Sequence, residues 1–163
     1  MSRALLSRNQ LTGSIPSSFA NIYRLADLDL SSNQLSGWIP PQLGSMPALS
    51  TLNLDSNQLS GNIPPSLLSS AGLNVLNISR NNLEGNLPDV FGTKTYFSVL
   101  DLSYKQFHGS IPKSLSSVKY IGHLDLSYNH LCGQIPLGSP FDHLEASSCA
   151  NNDCLCGSPL RSC

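Results

Sequence analysis

Apolar and polar positions along this chain follow two superposed periods, one short and one long. Leu28-Asp29-Leu30, Leu52-Asn53-Leu54, Leu76-Asn77-Ile78, Leu100-Asp101-Leu102 and Leu124-Asp125-Leu126 alternate apolar and polar residues, the signature of short strands with one buried face. Each triplet lies 24 residues after the one before. A unit this short cannot enclose a core of its own. The pattern therefore predicts stacked turns whose strands pair in parallel, about 4.7–4.9 Å apart, and whose Leu and Ile columns bury one another.

Further columns share the same period. A reference position falls at Asn9, Asn33, Asn57, Asn81, Lys105 and Asn129. Two residues on stand Leu11, Leu35, Leu59, Leu83, Phe107 and Leu131; four on stand Gly13, Gly37, Gly61, Gly85, Gly109 and Gly133. An Ile-Pro or Leu-Pro pair follows each time, from Ile15-Pro16 to Ile135-Pro136. An Asn amide both donates and accepts, so a stack of them can satisfy backbone groups where the chain leaves each strand. Gly permits the tight bend that follows, and Pro suits an outer arc because it blocks helix continuation and central strand pairing. Lys105 breaks the Asn column and has no acceptor to offer. Loss of a buried acceptor is expected to cost about 1–3 kcal/mol, and we read Lys105 as decay of one unit that a cooperative array tolerates.

The composition follows from these columns. The 163 residues include 28 Leu, 28 Ser, 14 Asn, 12 Gly and 11 Pro, and half the Gly and over half the Pro sit in the columns above. Charged residues are only 12% and the net charge is −1, which removes any global electrostatic drive toward nucleic acid or an acidic membrane surface. No apolar run approaches the roughly 18 residues of a membrane span, and residues 1–8 lack the apolar stretch of a signal peptide. None of His108, His123, His130 and His143 stands in a recognisable nucleophile motif, and Gly follows the repeat rather than a phosphate-loop spacing. Asp101 and Asp125 share a column one strand apart, an arrangement that can serve acid–base chemistry, yet the repeat alone accounts for it. Neither a catalytic residue nor a cofactor is expected.

The run Leu49-x-x-Leu52-x-Leu54-x-x-Asn57-x-Leu59-x-Gly61-x-Ile63-Pro64, with its near copy from Leu73 to Pro88, resembles the plant-type leucine-rich repeat. The resemblance implies a right-handed α/β solenoid, mostly β. It has a concave parallel sheet, a short second sheet from the Gly-x-Ile-Pro segment and short helical turns on the convex side. We expect six 24-residue turns over residues 1–136 and a C-terminal cap over 137–163.

Cys132, Cys149, Cys154, Cys156 and Cys163 all fall in the last 32 residues. Cysteine density at one end of a solenoid suits a stapled cap in an oxidising compartment, with several pairings open. No zinc-type His spacing accompanies the cysteines, so no metal is expected. The stretch from Cys132-Gly133 through Cys154-Leu155-Cys156-Gly157-Ser158-Pro159-Leu160 to Cys163 resembles the cap of secreted plant leucine-rich-repeat proteins, including polygalacturonase inhibitors. That resemblance implies the pairs Cys132–Cys154 and Cys156–Cys163. It puts Cys149 where an aromatic residue usually stands, hence a free thiol. Phe91–Phe97, Ile121–Gly133 and Ser139–Ser148 resemble the plant DNA-damage-repair/toleration leucine-rich-repeat proteins. Members of that family carry a signal peptide, an N-terminal cap and more repeats, so the chain reads as a C-terminal fragment of a secreted, apoplastic parent. An uncapped start would expose Leu6, Leu11, Ile15, Phe19, Ile22 and Leu25 and favour self-association.

Outward strand positions form columns of mostly small polar residues. Four residues depart from that filler: Arg80, Tyr104, Tyr128 and His123. Aromatic residues and Arg are the types enriched at binding hot spots. Together with Asp101 and Asp125 they mark a candidate patch for a protein or peptide partner, or for a cell-wall component. Asn77-Ile78-Ser79 is an acceptor sequon on the same face. The leading expectation is a non-catalytic interaction module. Inhibition of a polygalacturonase is the narrower reading suggested by the cap, and ice binding is the reading suggested by repeated Ser, Thr and Asn.

Overall fold

The computed structural model describes residues 1–163. In chain order the strands are β1 (Arg3–Leu5), β2 (Thr12–Gly13), β3 (Asp27–Asp29), β4 (Gln34–Gly37), β5 (Thr51–Asn53), β6 (Gln58–Gly61), β7 (Val75–Asn77), β8 (Asn82–Asn86), β9 (Tyr96–Asp101), β10 (Gln106–Gly109), β11 (Tyr120–Asp125), β12 (His130–Gln134) and β13 (Cys154–Cys156). Odd-numbered strands β1 to β11 form a six-stranded parallel sheet; β13 and the even-numbered strands form a second, seven-stranded parallel sheet. Between them runs one continuous core from Ala4 to Leu155. Leu28, Leu52, Leu76, Leu100 and Leu124 are at most 1% exposed. Burial of each such side chain contributes roughly 1.5–3 kcal/mol.

The Pro column sets the outer arc. Pro16, Pro40, Pro64 and Pro112 have φ between −60° and −67°, and each immediately precedes a short helical turn: Ser17–Asn21, Pro41–Ser45, the one-turn α1 (Pro65–Ser69) and Lys113–Ser117. A fixed φ near −65° before the first helical residue makes these turns start where the repeat places Pro. The fourth turn of the solenoid departs from this. After Leu87-Pro88 the chain forms no helical turn and instead buries Phe91, while Asp89 accepts the backbone N–H of Ser114 at 3.0 Å.

The two sheets differ in register. In the first, Leu28 pairs with Leu52 and Leu76 with Leu100, a strict offset of 24. In the second, Gln106 pairs with Glu84, His130 with His108 and Cys154 with Cys132, an offset of 22. Each turn of the second sheet is therefore displaced by two residues, roughly 6–7 Å, along its strands relative to the repeat.

The Asn column closes the backbone hydrogen bonding between the sheets. Asn57 Oδ1 accepts the N–H of Leu35 at 3.0 Å, and its Nδ2 donates to the carbonyls of Leu30, Leu54 and Asp55. Asn81 serves Leu59 and Asn129 serves Phe107 in the same way. Lys105 lies inside this ladder, 5% exposed, with its Nζ buried and without a hydrogen-bond partner. Asn152 extends the ladder beyond the repeats: its Oδ1 accepts from Leu131 N–H at 3.0 Å and its Nδ2 donates to Leu126, Cys149 and Ala150 carbonyls. Asn152 stands 23 residues after Asn129, one short of the period, which hides it from a fixed-spacing reading.

The N-terminal end exposes less apolar surface than the sequence suggested. Leu25 and Ile15 are buried, Phe19 and Ile22 are half-buried, and only Leu6 and Leu11 of the six remain exposed. The helical turn at Ser17–Asn21 folds Phe19 and Ile22 back against the core, which a column reading of the first turn does not show.

Candidate functional site

The residue before each Asn rung, and before Lys105 at the same position, has positive φ. Arg8, Ser32, Ser56, Arg80, Tyr104, Tyr128 and Asn151 all lie between 53° and 59°. This left-handed geometry is costly for any residue with a Cβ, of order 1–2 kcal/mol, and Ser at two of these positions shows that no aromatic is needed to make the turn. Two consecutive turns nevertheless carry Tyr. Parallel strands one period apart bring equivalent side chains to stacking distance, so Tyr104 and Tyr128 lie face to face with ring centroids 4.2 Å apart and planes 9° apart. The Arg80 guanidinium covers the other face of Tyr104 at 4.3 Å from its centroid. Desolvation within this stack, and then the Tyr128 hydroxyl, push the Tyr104 phenol above its usual pKa.

A second aromatic pair stands at the opposite ends of the same strands. Tyr96 and Tyr120 stack at 5.0 Å. They open β9 and β11, which are six residues long where the other strands of the sheet have three. The tyrosine at a 24-residue spacing is the signal that would have found this pair. Gly122, two residues on in β11, lies under the Tyr120 side chain: a Cβ there would come within 2.8 Å of the Ser98 carbonyl oxygen and 3.0 Å of the Tyr120 hydroxyl.

Between the two tyrosine pairs lie the remaining sequence candidates. Asp101, Asp125 and His123 each offer a ligand atom, and these atoms lie within 4.8 Å of one another. Asp101 Oδ1 accepts the N–H and hydroxyl of Ser103, and Asp125 Oδ1 accepts those of Ser127. These serines, with Ser79, are buried and do not present an outward column. Their hydroxyls turn back to cap the preceding Asp or Asn, a local bond that alternation alone does not reveal. His123, Asp125, Tyr104 and Tyr128 line a depression of about 480 Å³ whose far wall is formed by His143 and Glu145. The structure thus gathers all six patch residues at the C-terminal part of the first sheet and adds Tyr96, Tyr120, His143 and Glu145.

The other sequence candidates lie apart from this patch or beneath it. Asn77 Oδ1 accepts from the Ser79 N–H and hydroxyl on β7. Cys132 is bonded to Cys154 across the β12–β13 ladder with Cα atoms 4.3 Å apart, and Cys156 is bonded to Cys163 with Cα atoms 5.0 Å apart. Cys149 is unpaired and fully buried, and burial pushes its thiol up to about 11. It takes the core position three residues before its Asn rung that Leu126 takes before Asn129. Burial pulls the Lys105 amine down to about 7, against the opposing fields of Asp101 and Asp55.

Comparison with known proteins places this architecture. The leucine rich repeat family profiles match residues 5–59, 72–93 and 121–140. No curated protein sequence matches the chain. The ectodomain of the Arabidopsis receptor kinase HAESA, solved in complex with an N-terminally extended IDA peptide hormone, is 37% identical with a TM-score of 0.83 over 95% of this chain. The chain spans only 26% of that ectodomain's length. Pollen receptor kinase 3 is 30% identical with a TM-score of 0.82, the match covering 98% of this chain and 77% of that one. A plant ice-binding protein is 28% identical with a TM-score of 0.53, covering 98% and 66%. The two-sheet solenoid, its Asn ladder and these matches together show that the chain belongs to the plant-type leucine-rich-repeat proteins.

Proposed function

We propose that this chain is a non-catalytic recognition module that binds a protein or peptide through the C-terminal part of its concave sheet. The observation that carries the reading is the Arg80–Tyr104–Tyr128 stack. Large side chains occupy backbone positions that disfavour them, are exposed, and border an acidic floor at Asp101 and Asp125. Stacked rings of this kind are rigid and amphipathic, so they bury area on binding at small entropic cost. The peptide-hormone complex of the HAESA ectodomain supports the same use of the fold. The two disulfides and the ectodomain relatives support an extracellular site of action, as part of a longer secreted plant protein. Within such a protein we propose Asn77 as an N-glycan acceptor, testable by intact-mass comparison with Asn77→Gln.

Ice binding is the weaker reading, because Asp and Tyr interrupt the flat polar columns that would have to match a lattice. Polygalacturonase inhibition rests on the cap alone. To test the main reading, wild-type protein and a Tyr104→Ser/Tyr128→Ser variant are immobilised and exposed to plant extracellular peptides. Ligands identified by mass spectrometry on the wild type and lost from the variant support the proposal. Equal retention by both proteins overturns it.

A further inference from the structure

We propose that Asp101, His123 and Asp125 form the seat for the ε-ammonium group of a lysine on an extended peptide partner, with the lysine stem against the Tyr104–Tyr128 stack. This rests on the reading of the concave face as a peptide-binding surface. Its foundation is the shape of the acceptor set. An ammonium carries three N–H donors and no acceptor. With charge-assisted hydrogen bonds of about 2.7–2.9 Å and tetrahedral angles, its three acceptors stand roughly 4.5 Å from one another. The three groups here offer two carboxylate oxygens and one imidazole nitrogen within 4.8 Å. A zinc-like ion with bonds of about 2.0–2.2 Å needs a triangle of roughly 3–3.5 Å on a side, whereas His123 has no ring nitrogen within 4 Å of either carboxylate. A guanidinium presents a planar fork suited to the two oxygens of one carboxylate, and less well to a triangle drawn from three residues.

Charge points the same way. The ion pairs of the chain are Arg3–Asp27 and His130–Asp153, so no cation sits within 4 Å of Asp101 or Asp125. Asp101 and Asp125 stand one strand apart without a direct ion-pair partner, the Lys105 amine reaching Asp101 only through its longer-range field, and only one oxygen of each carboxylate is engaged by its serine. Asp29 and Asp55 continue the negative character along the same sheet. An incoming ammonium removes the mutual repulsion of Asp101 and Asp125. The tyrosines select how it arrives. Tyr104 and Tyr128 line the same depression as His123 and Asp125 and stand exposed at its edge. A peptide backbone crossing the sheet reaches the floor through a side chain, and methylenes lying on a ring with the charge beyond it suit a lysine.

The chain supplies its own control for the variants. Asn77, in the same column as Asp101 and Asp125, holds the Ser79 N–H and hydroxyl as the aspartates hold theirs. Asp101→Asn and Asp125→Asn therefore keep the turn and remove the charge. A phage-displayed random dodecapeptide library is panned on the whole 163-residue chain, with counter-selection on the Tyr104→Ser/Tyr128→Ser variant. Selected sequences are resynthesised with lysine, arginine, norleucine or acetyl-lysine at the recurrent position and titrated by fluorescence polarisation. The expected result is an invariant lysine, a 10- to 100-fold loss on norleucine or acetyl-lysine, and a similar loss for each Asp→Asn variant. In Asp101→Asn/Asp125→Asn the lysine and norleucine peptides should bind alike. Peptides that need the tyrosines but tolerate norleucine would sink the lysine seat and leave the binding surface standing. Dependence on the free N-terminal amine, or micromolar Zn²⁺ binding lost in Asp101→Asn, would also overturn it. Failure to select any peptide would remove the peptide-binding reading and the seat together.

Discussion

The side-chain oxygen of Asn129 accepts the backbone N–H of Phe107 at 3.2 Å, and one turn earlier Lys105 has no oxygen to offer the equivalent N–H of Leu83. The ladder of Asn33, Asn57 and Asn81 is thus interrupted once before Asn129 and Asn152 resume it. Lys105→Asn restores both the acceptor and the amide donors and removes a buried amine. We expect it to stabilise the protein by about 2–5 kcal/mol at pH 7, read from urea unfolding. Unchanged or lower stability would show that the solenoid has adapted around the lysine.

The same residue makes stability depend on pH. The unfolded chain holds the lysine proton up to its ordinary value of 10.5, the folded chain only up to about 7. The unfolded state therefore binds more protons across that window, and stability rises with pH through it. The rise attributable to Lys105 between pH 7 and 9.5 is about 3 kcal/mol, with a constant penalty below pH 7. Subtracting the Lys105→Asn profile from the wild-type profile isolates this effect. A flat difference would mean that the amine is hydrated when folded.

Cys149 should be silent in the native protein. It is fully buried, and its thiol is pushed up to about 11. At pH 8, iodoacetamide should leave the folded chain unmodified and add one carbamidomethyl group after denaturation without reductant, read by intact mass. Modification of the folded chain would show that the cap opens readily.

Asn152 carries the last rung of the ladder. Asn152→Ala leaves the Leu131 N–H and the carbonyls of Leu126 and Cys149 without their side-chain partner. The expected cost is about 1–3 kcal/mol, with hydrogen-exchange protection lost first around residues 126–134. Uniform loss along the chain would instead mean that the cap and repeats unfold as one unit.

Tyr104→Ser and Tyr128→Ser should each cost about 0.5–1.5 kcal/mol, the worth of the lost stacking, because Ser32 and Ser56 already hold the same positive φ and the turn is kept. Thermal unfolding checks this. A loss of several kcal/mol would make the stack a structural strut, which is a different role from a binding platform.

Much of the architecture was legible because it repeats. Leu28, Leu52, Leu76, Leu100 and Leu124 occupy one column in the sequence and one column in the core. The Asn positions announced their hydrogen-bonding role by holding an amide in register at five of six turns. The candidate patch was legible only as a departure from that regularity at Arg80, Tyr104, Tyr128 and His123. Tyr96 and Tyr120 escaped because they lie outside the three-residue strand pattern, on an extension of β9 and β11. Ser79, Ser103 and Ser127 are not part of the outward polar filler that alternation suggests, because they are buried and spend their hydroxyls on the residue two before them rather than on solvent.

By itself the sequence determined a parallel stack with a 24-residue rise, because side chains that bury only against copies of themselves must recur at a fixed interval. It could not determine how far neighbouring turns slide. The second sheet pairs at 22 residues while the first pairs at 24. Nor could it show that Lys105 is sealed in, that Asn152 steps one residue out of phase to close the end, or that Asp101, His123 and Asp125 converge within 4.8 Å. Those outcomes depend on distances between turns, and only the folded chain brings residues a full repeat apart to within a few ångströms of one another.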